Sequence, residues 1–144
     1  MKKKKKNKKA YYVSPKEFLQ ALKDYYQTDD FVDSLAESVY KIAVGLSYSP
    51  NFINYSYKDE MIGDAVVKMI AAVKNKKFNL ESTSNPFSYF TTIAYHAFFN
   101  RIKKKKKYRE TINEYQEQIY GQLATEGDIP KKAPQKDYDK ELYY

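Results

Sequence analysis

The chain has 144 residues and a formal charge of +8, and it contains neither cysteine nor tryptophan. That length supports one domain around one core, and the lack of cysteine excludes disulfides, thiolate nucleophiles and zinc–thiolate sites. No apolar run is long enough to cross a bilayer and no signal-peptide core follows the basic start, so a soluble intracellular protein is expected.

The charge is concentrated. Residues 1–9 and 98–109 each carry seven positive charges and no acid, which leaves the rest of the chain net negative. A mildly acidic body with two basic patches fits a polyanion held at defined places. For the first patch, simple solubilisation is an equal alternative. Lysine outnumbers arginine 24 to 2. Bidentate reading of guanine by arginine therefore cannot dominate, and an A·T-rich target suits the inventory. The abundance of Lys, Asn, Tyr and Ile also points to an A·T-rich genome, such as that of a phage or of some endosymbionts.

Residues 1–13 read as a disordered basic arm. Ser14, Pro15 and Glu17 make a start signal, with a capping serine, a proline at the first helical position and a capping-box glutamate. A helix is expected from there to about residue 27, with Phe18, Leu19, Leu22 and Tyr26 inward. Asp29 or Asp30 is expected to cap a second helix reaching about residue 47. Its apolar positions Phe31, Leu35, Val39, Ile42 and Leu46 lie on one face. Residues 48–57, with Pro50 and two asparagines, read as a loop.

A third helix is expected over 58–74. Ile62, Ala65, Val66, Met69, Ile70 and Val73 form its core stripe, and Glu60, Asp64, Val67, Ala71 and Lys74 its opposite side. After an irregular connection through Phe78 and Leu80, Asn85 and Pro86 open a fourth helix that extends to about residue 122. From 123 onward, Gly127, Pro130 and Pro134 mark a flexible linker. It ends in an apolar, acidic peptide that reads either as a docking segment or as a frayed terminus without a role. The fold expected is thus all-α, a compact bundle of about four helices over 14–122 between two disordered ends.

The fourth helix divides into two faces at 100° per residue. Phe87, Phe90, Ala94, Ala97 and Phe98 fall on the core side, with Arg101 toward its exit. Tyr89, Thr92, His96, Phe99, Asn100 and Lys103 fall on the other. Aromatics beside His, Asn and Lys suit either a covering protein segment or unpaired nucleic acid. Rings stack on bases at about 1–3 kcal/mol each, and Thr, Asn and His can donate to base edges or phosphates. The basic run that follows, with Lys103, Lys104, Lys106 and Lys107, would supply phosphate contacts. An enzyme is disfavoured: there is one histidine, no carboxylate cluster near the basic helix and no Gly-rich phosphate loop. No cofactor or metal is expected. A basic nucleic-acid adaptor without sequence preference is the competing reading.

The segment Phe90-Thr91-Thr92-Ile93-Ala94-Tyr95-His96-Ala97-Phe98-Phe99-Asn100-Arg101-Ile102 resembles the promoter-melting helix of sigma-70-type factors, roughly F-S-T-Y-A-x-W-W-I-R-Q-A-I. Met61-Ile62-Gly63-Asp64-Ala65, Ala72-Val73 and Phe78 are similar to that family's preceding helix. The likeness is closer to the late-transcription sigma factors of T-even-type phages, which share a K-x-E-M-I run, N-P-x-x-Y and an R-I-K-K exit in this order. It covers 58–108 specifically and the first two helices in pattern only.

The resemblance implies a sigma region-two domain that binds bacterial core RNA polymerase and reads and melts an A·T-rich −10 element. Asp64, with Glu60, Val67 and Ala71 on its face, falls where such factors meet the clamp helices of the polymerase's largest subunit. Thr92, Tyr95 and His96 fall in the melting segment, and Asn100 where the family reads the upstream edge of the −10 element. Arg101 and the lysines after it fall at the basic exit. The family's paired tryptophans are His96 and Ala97 here, and the arginine after them is Phe99. Tyr95 or Phe99 would have to act as the wedge, or melting would need another factor. Tyr138, Leu142, Tyr143 and Tyr144, among Asp137, Asp139 and Glu141, look like the late factors' peptide for the replication sliding clamp. In those factors a separate phage co-activator binds the polymerase. A protein monomeric when free, with no membrane partner, in the cytoplasm of an infected bacterium is what the resemblance implies.

Overall fold

A computed structural model describes residues 11–125. Of the disordered arm expected over 1–13, residues up to 10 lie outside the described residues, as does the sliding-clamp peptide Tyr138, Leu142, Tyr143 and Tyr144, whereas Val13 is buried in the core. The fold is an all-α bundle of α1 (Pro15–Thr28), α2 (Asp33–Ser47), α3 (Lys58–Lys74) and α4 (Pro86–Thr125). Its single core joins Phe18 and Leu22 of α1 to Leu35, Val39 and Ile42 of α2. Met61, Ala65, Met69 and Val73 of α3 and Phe90, Ala94, Ala97 and Phe98 of α4 complete it. The most extensive packing is between α3 and α4. No helix among the described residues is long and apolar enough to cross a membrane.

α1 starts where the Ser14–Pro15 signal places it, but Ser14 makes no side-chain cap. Its carbonyl instead accepts from the Phe18 amide at 2.9 Å, which begins the ladder. Pro15 has already removed one of the four amides that a helix start leaves unpaired.

The two aspartates expected to cap α2 do other work. Asp29 ends α1 in the left-handed conformation, φ 56°, and its amide donates to the Tyr25 carbonyl at 2.8 Å. α2 consequently begins only at Asp33, and Phe31 lies between the helices with its ring edge-on to Tyr25 at 5.6 Å. Lys76, just past the end of α3, secures this corner. Its ammonium meets the Asp29 carboxylate at 2.7 Å and the Tyr26 carbonyl at 3.3 Å, a cation at a helix C-terminus where the dipole favours one.

The 48–57 connection is more than a loop. Phe52 is fully buried within it, with its ring edge-on to Phe98 at 5.0 Å and to Tyr95 at 5.3 Å. On α3, Met61 and Ala72 are buried, whereas Ile62, Val66 and Ile70 are only partly covered. α4 runs three residues past its expected end at 122. Of its 40 residues, Ile102 is the last that packs against the core.

Candidate nucleic-acid interface

Asn85 launches α4: its side-chain oxygen accepts from the Phe87 amide at 2.8 Å, and Pro86 takes the first helical position. From there the helix keeps Phe90, Ala94, Ala97 and Phe98 inward. The period of 3.6 residues turns Thr92, His96, Phe99 and Asn100 outward, and all four are exposed.

Two aromatics of this face are less open than periodicity alone implies. Tyr89 is half-buried because Phe78 rises beside it at 5.3 Å. Tyr95 is half-buried between Phe52 at 5.3 Å and Phe99 at 5.0 Å. Phe52 thus props Tyr95 and Phe99 from beneath and holds a preorganised aromatic ledge, with Phe99 still 41% exposed. Each such ring pair contributes about 0.5–1.5 kcal/mol beyond area burial. Thr92 spends its hydroxyl proton on the Ser88 carbonyl at 2.9 Å, so toward a ligand it offers an acceptor and a methyl group.

Past this ledge, Lys103, Lys104, Lys106 and Lys107 are exposed around the helix. At 100° per residue they cover an arc of about 160°, which suits a phosphate backbone passing alongside more than a single bound anion. Arg101 departs from this group, because its guanidinium is already engaged within the chain. Its Nε and Nη2 donate to the two Asp64 oxygens at 2.6 and 2.7 Å, and its Nη1 lies 3.5 Å from Glu60. The residue expected to touch DNA is a strut between α4 and α3. Lys105 joins the same network, 3.1 Å from Glu60, with its ammonium 5.2 Å above the Tyr57 ring.

The acidic face of α3 is affected in turn. The Arg101 guanidinium beside Asp64 holds that carboxyl below its usual range. Glu60 and Asp64, expected to present charge to a partner, already share two cations of their own chain. Any basic partner has to compete with Arg101 and Lys105. What the α3 face offers without competition is apolar: Val67 is 67% exposed and Ala71 is also exposed.

The Arg101–Asp64 pairing was invisible to a reading by faces, because it links positions 37 apart. A signal existed: Arg101 fell on the core side of the wheel, where an arginine needs an acid. Phe52 carried no periodic signal. Among the described residues no cluster of His, Cys, Asp or Glu could hold a metal. Compared with known protein families and with curated proteins, the chain matches none.

Proposed function

We propose that this chain is a sigma-like promoter-recognition subunit that binds bacterial core RNA polymerase and reads and opens an A·T-rich −10 element. The observation that carries the reading is the surface of α4. Thr92, His96, Phe99 and Asn100 form an exposed, Phe52-supported polar and aromatic face that leads directly into four exposed lysines on the same helix. Bases unstacked from a duplex gain ring contacts that offset an unstacking cost of a few kcal/mol per step. Neighbouring phosphates meet Lys103, Lys104, Lys106 and Lys107. The sigma-like order of motifs from Lys58 to Tyr108 gives this surface its promoter assignment. Polymerase then contributes all the catalysis.

On this reading the α3 face carrying Glu60, Asp64, Val67 and Ala71 docks on the polymerase clamp helices. The peptide with Tyr138, Leu142, Tyr143 and Tyr144 docks on a sliding clamp, with a phage co-activator acting alongside. The site of action would be the cytoplasm of an infected bacterium. Reversing Glu60 or Asp64 would break the strut to Arg101 as well as any docking surface, so exposed neighbours are the cleaner probe. Val67→Asp with Ala71→Asp is expected to abolish co-purification with bacterial core polymerase while helicity is unchanged. Unchanged co-purification would remove the docking assignment. A sequence-blind basic adaptor is the competing reading; it predicts equal affinity for all duplexes without polymerase.

A further inference from the structure

A second group of exposed rings stands apart from α4. Tyr11 packs across the last turn of α2, its Cβ 3.6 Å from where a side chain on Gly45 would begin. Its ring packs against Tyr48 at 5.5 Å between centroids with a 30° tilt. Tyr48 remains 46% exposed and the adjacent Tyr12 is 68% exposed. The Lys58 ammonium rides 5.4 Å over the Tyr48 ring. Immediately before Tyr11 in the sequence stand the seven lysines of residues 2–9.

We infer that Tyr48, with Tyr11 stacked against it and Tyr12 beside it, is a stacking platform for unpaired bases of single-stranded DNA, a second contact beyond α4. Two rings already packed on each other are ordered before any ligand arrives, so little side-chain entropy is lost on binding. Base stacking on such rings is indifferent to sequence, and a cationic approach draws in the strand. Lys58 sits on a flexible four-carbon stem, which lets its ammonium move from the ring to a phosphate as a base takes its place. No other ligand class suits this chemistry as well. A protein partner would meet a net excess of lysine, whereas a polyanion carrying flat apolar bases matches both the charge and the rings.

The position fits a continuous path. Tyr48 is four residues from Phe52, at most about 15 Å of chain, and Phe52 supports the Tyr95 and Phe99 ledge on α4. A strand opened at α4 therefore needs only a few nucleotides to reach Tyr48. This inference rests on the nucleic-acid reading of α4, and its test separates the two.

The experiment uses the full chain, a fluorescent thymine-rich single strand and a matched duplex, and the same single strand carrying a photoreactive halogenated uracil. Tyr12→Ala with Tyr48→Ala is expected to weaken single-strand binding about tenfold and to change duplex binding little. Tyr12→Phe with Tyr48→Phe removes the phenols but keeps the rings, and is expected to restore binding. Cross-links are expected at Tyr11, Tyr12 or Tyr48. Unchanged single-strand affinity in the alanine variant, or cross-links absent from all three tyrosines, would overturn the platform. A His96→Ala, Phe99→Ala variant run in parallel identifies which idea failed. If it alone loses binding, the platform falls and α4 stands; if no variant loses binding, both fall.

Discussion

α4 is one uninterrupted helix with two different reasons to exist. As far as Ile102 it is held by burial: Phe90, Ala94, Ala97 and Phe98 close the core, and Phe52 and Phe18 pack their rings against it. Beyond Ile102, over roughly 35 Å, none of its described residues belongs to the core. The boundary is marked by Arg101 and Lys105, which tie α4 to Asp64 and Glu60 where α3 begins. Past them α4 runs on beyond the start of α3. A helix whose second half has little tertiary support depends on residue propensity and on local charge. Side chains there can change without unfolding the protein, which leaves them open to selection for binding.

That contrast can be broken at several points. The largest stability effect is expected in the first half: Phe98→Ala removes a fully buried ring and is expected to cost about 3–5 kcal/mol in denaturant unfolding. A loss below about 1 kcal/mol would mean that the core does not extend into α4. In the second half, replacing Lys103, Lys104, Lys106 and Lys107 by Gln is expected to change stability by less than about 0.5 kcal/mol. The same variant should flatten the dependence of log affinity for DNA on log salt by about 0.9 per lysine that meets a phosphate. An unaltered salt slope would detach the lysines from DNA.

At the boundary, Arg101→Ala is expected to destabilise by about 1–3 kcal/mol, because it leaves a half-buried carboxylate without its bidentate partner. This contribution depends on pH. Asp64 titrates lower in the folded protein than its ordinary value of 3.8, so the pairing is fully present above that value. It is lost as pH falls below it and the carboxyl protonates. The stability gap between wild type and Arg101→Ala should therefore narrow in acid. A gap constant from neutral pH to below 3 would show that the pair contributes nothing. A gain in stability is expected on α3. Gly63 is exposed in mid-helix with nothing near its missing Cβ, so Gly63→Ala should stabilise by about 0.5–1 kcal/mol. A loss of stability would mean that the position is more crowded than it is here.

Where one periodic face decides the structure, the sequence was legible. The α3 limits at Lys58 and Lys74, the start of α4 at Pro86 and the outward placement of Thr92, His96 and Asn100 all follow from spacing and helix signals. What could not be read depends on which distant residue arrives alongside. Asp29 could serve as a helix start or a helix end, and the approach of Lys76 goes with the second. Phe52 looked like a loop residue because its partners Tyr95 and Phe98 lie more than forty positions later. Arg101 looked like part of the basic run because its acids belong to another helix. These local signals were ambiguous, and tertiary contact resolved them.

The most direct test of the central claim is permanganate footprinting during in vitro transcription, with bacterial core polymerase on A·T-rich late-type promoters. With the wild-type chain, thymines in the −10 region should become reactive and transcripts should start at one site. The His96→Ala, Phe99→Ala variant should lose that reactivity while still co-purifying with polymerase. Full promoter opening by this variant, or no opening with the wild-type chain on any such promoter, would contradict the account.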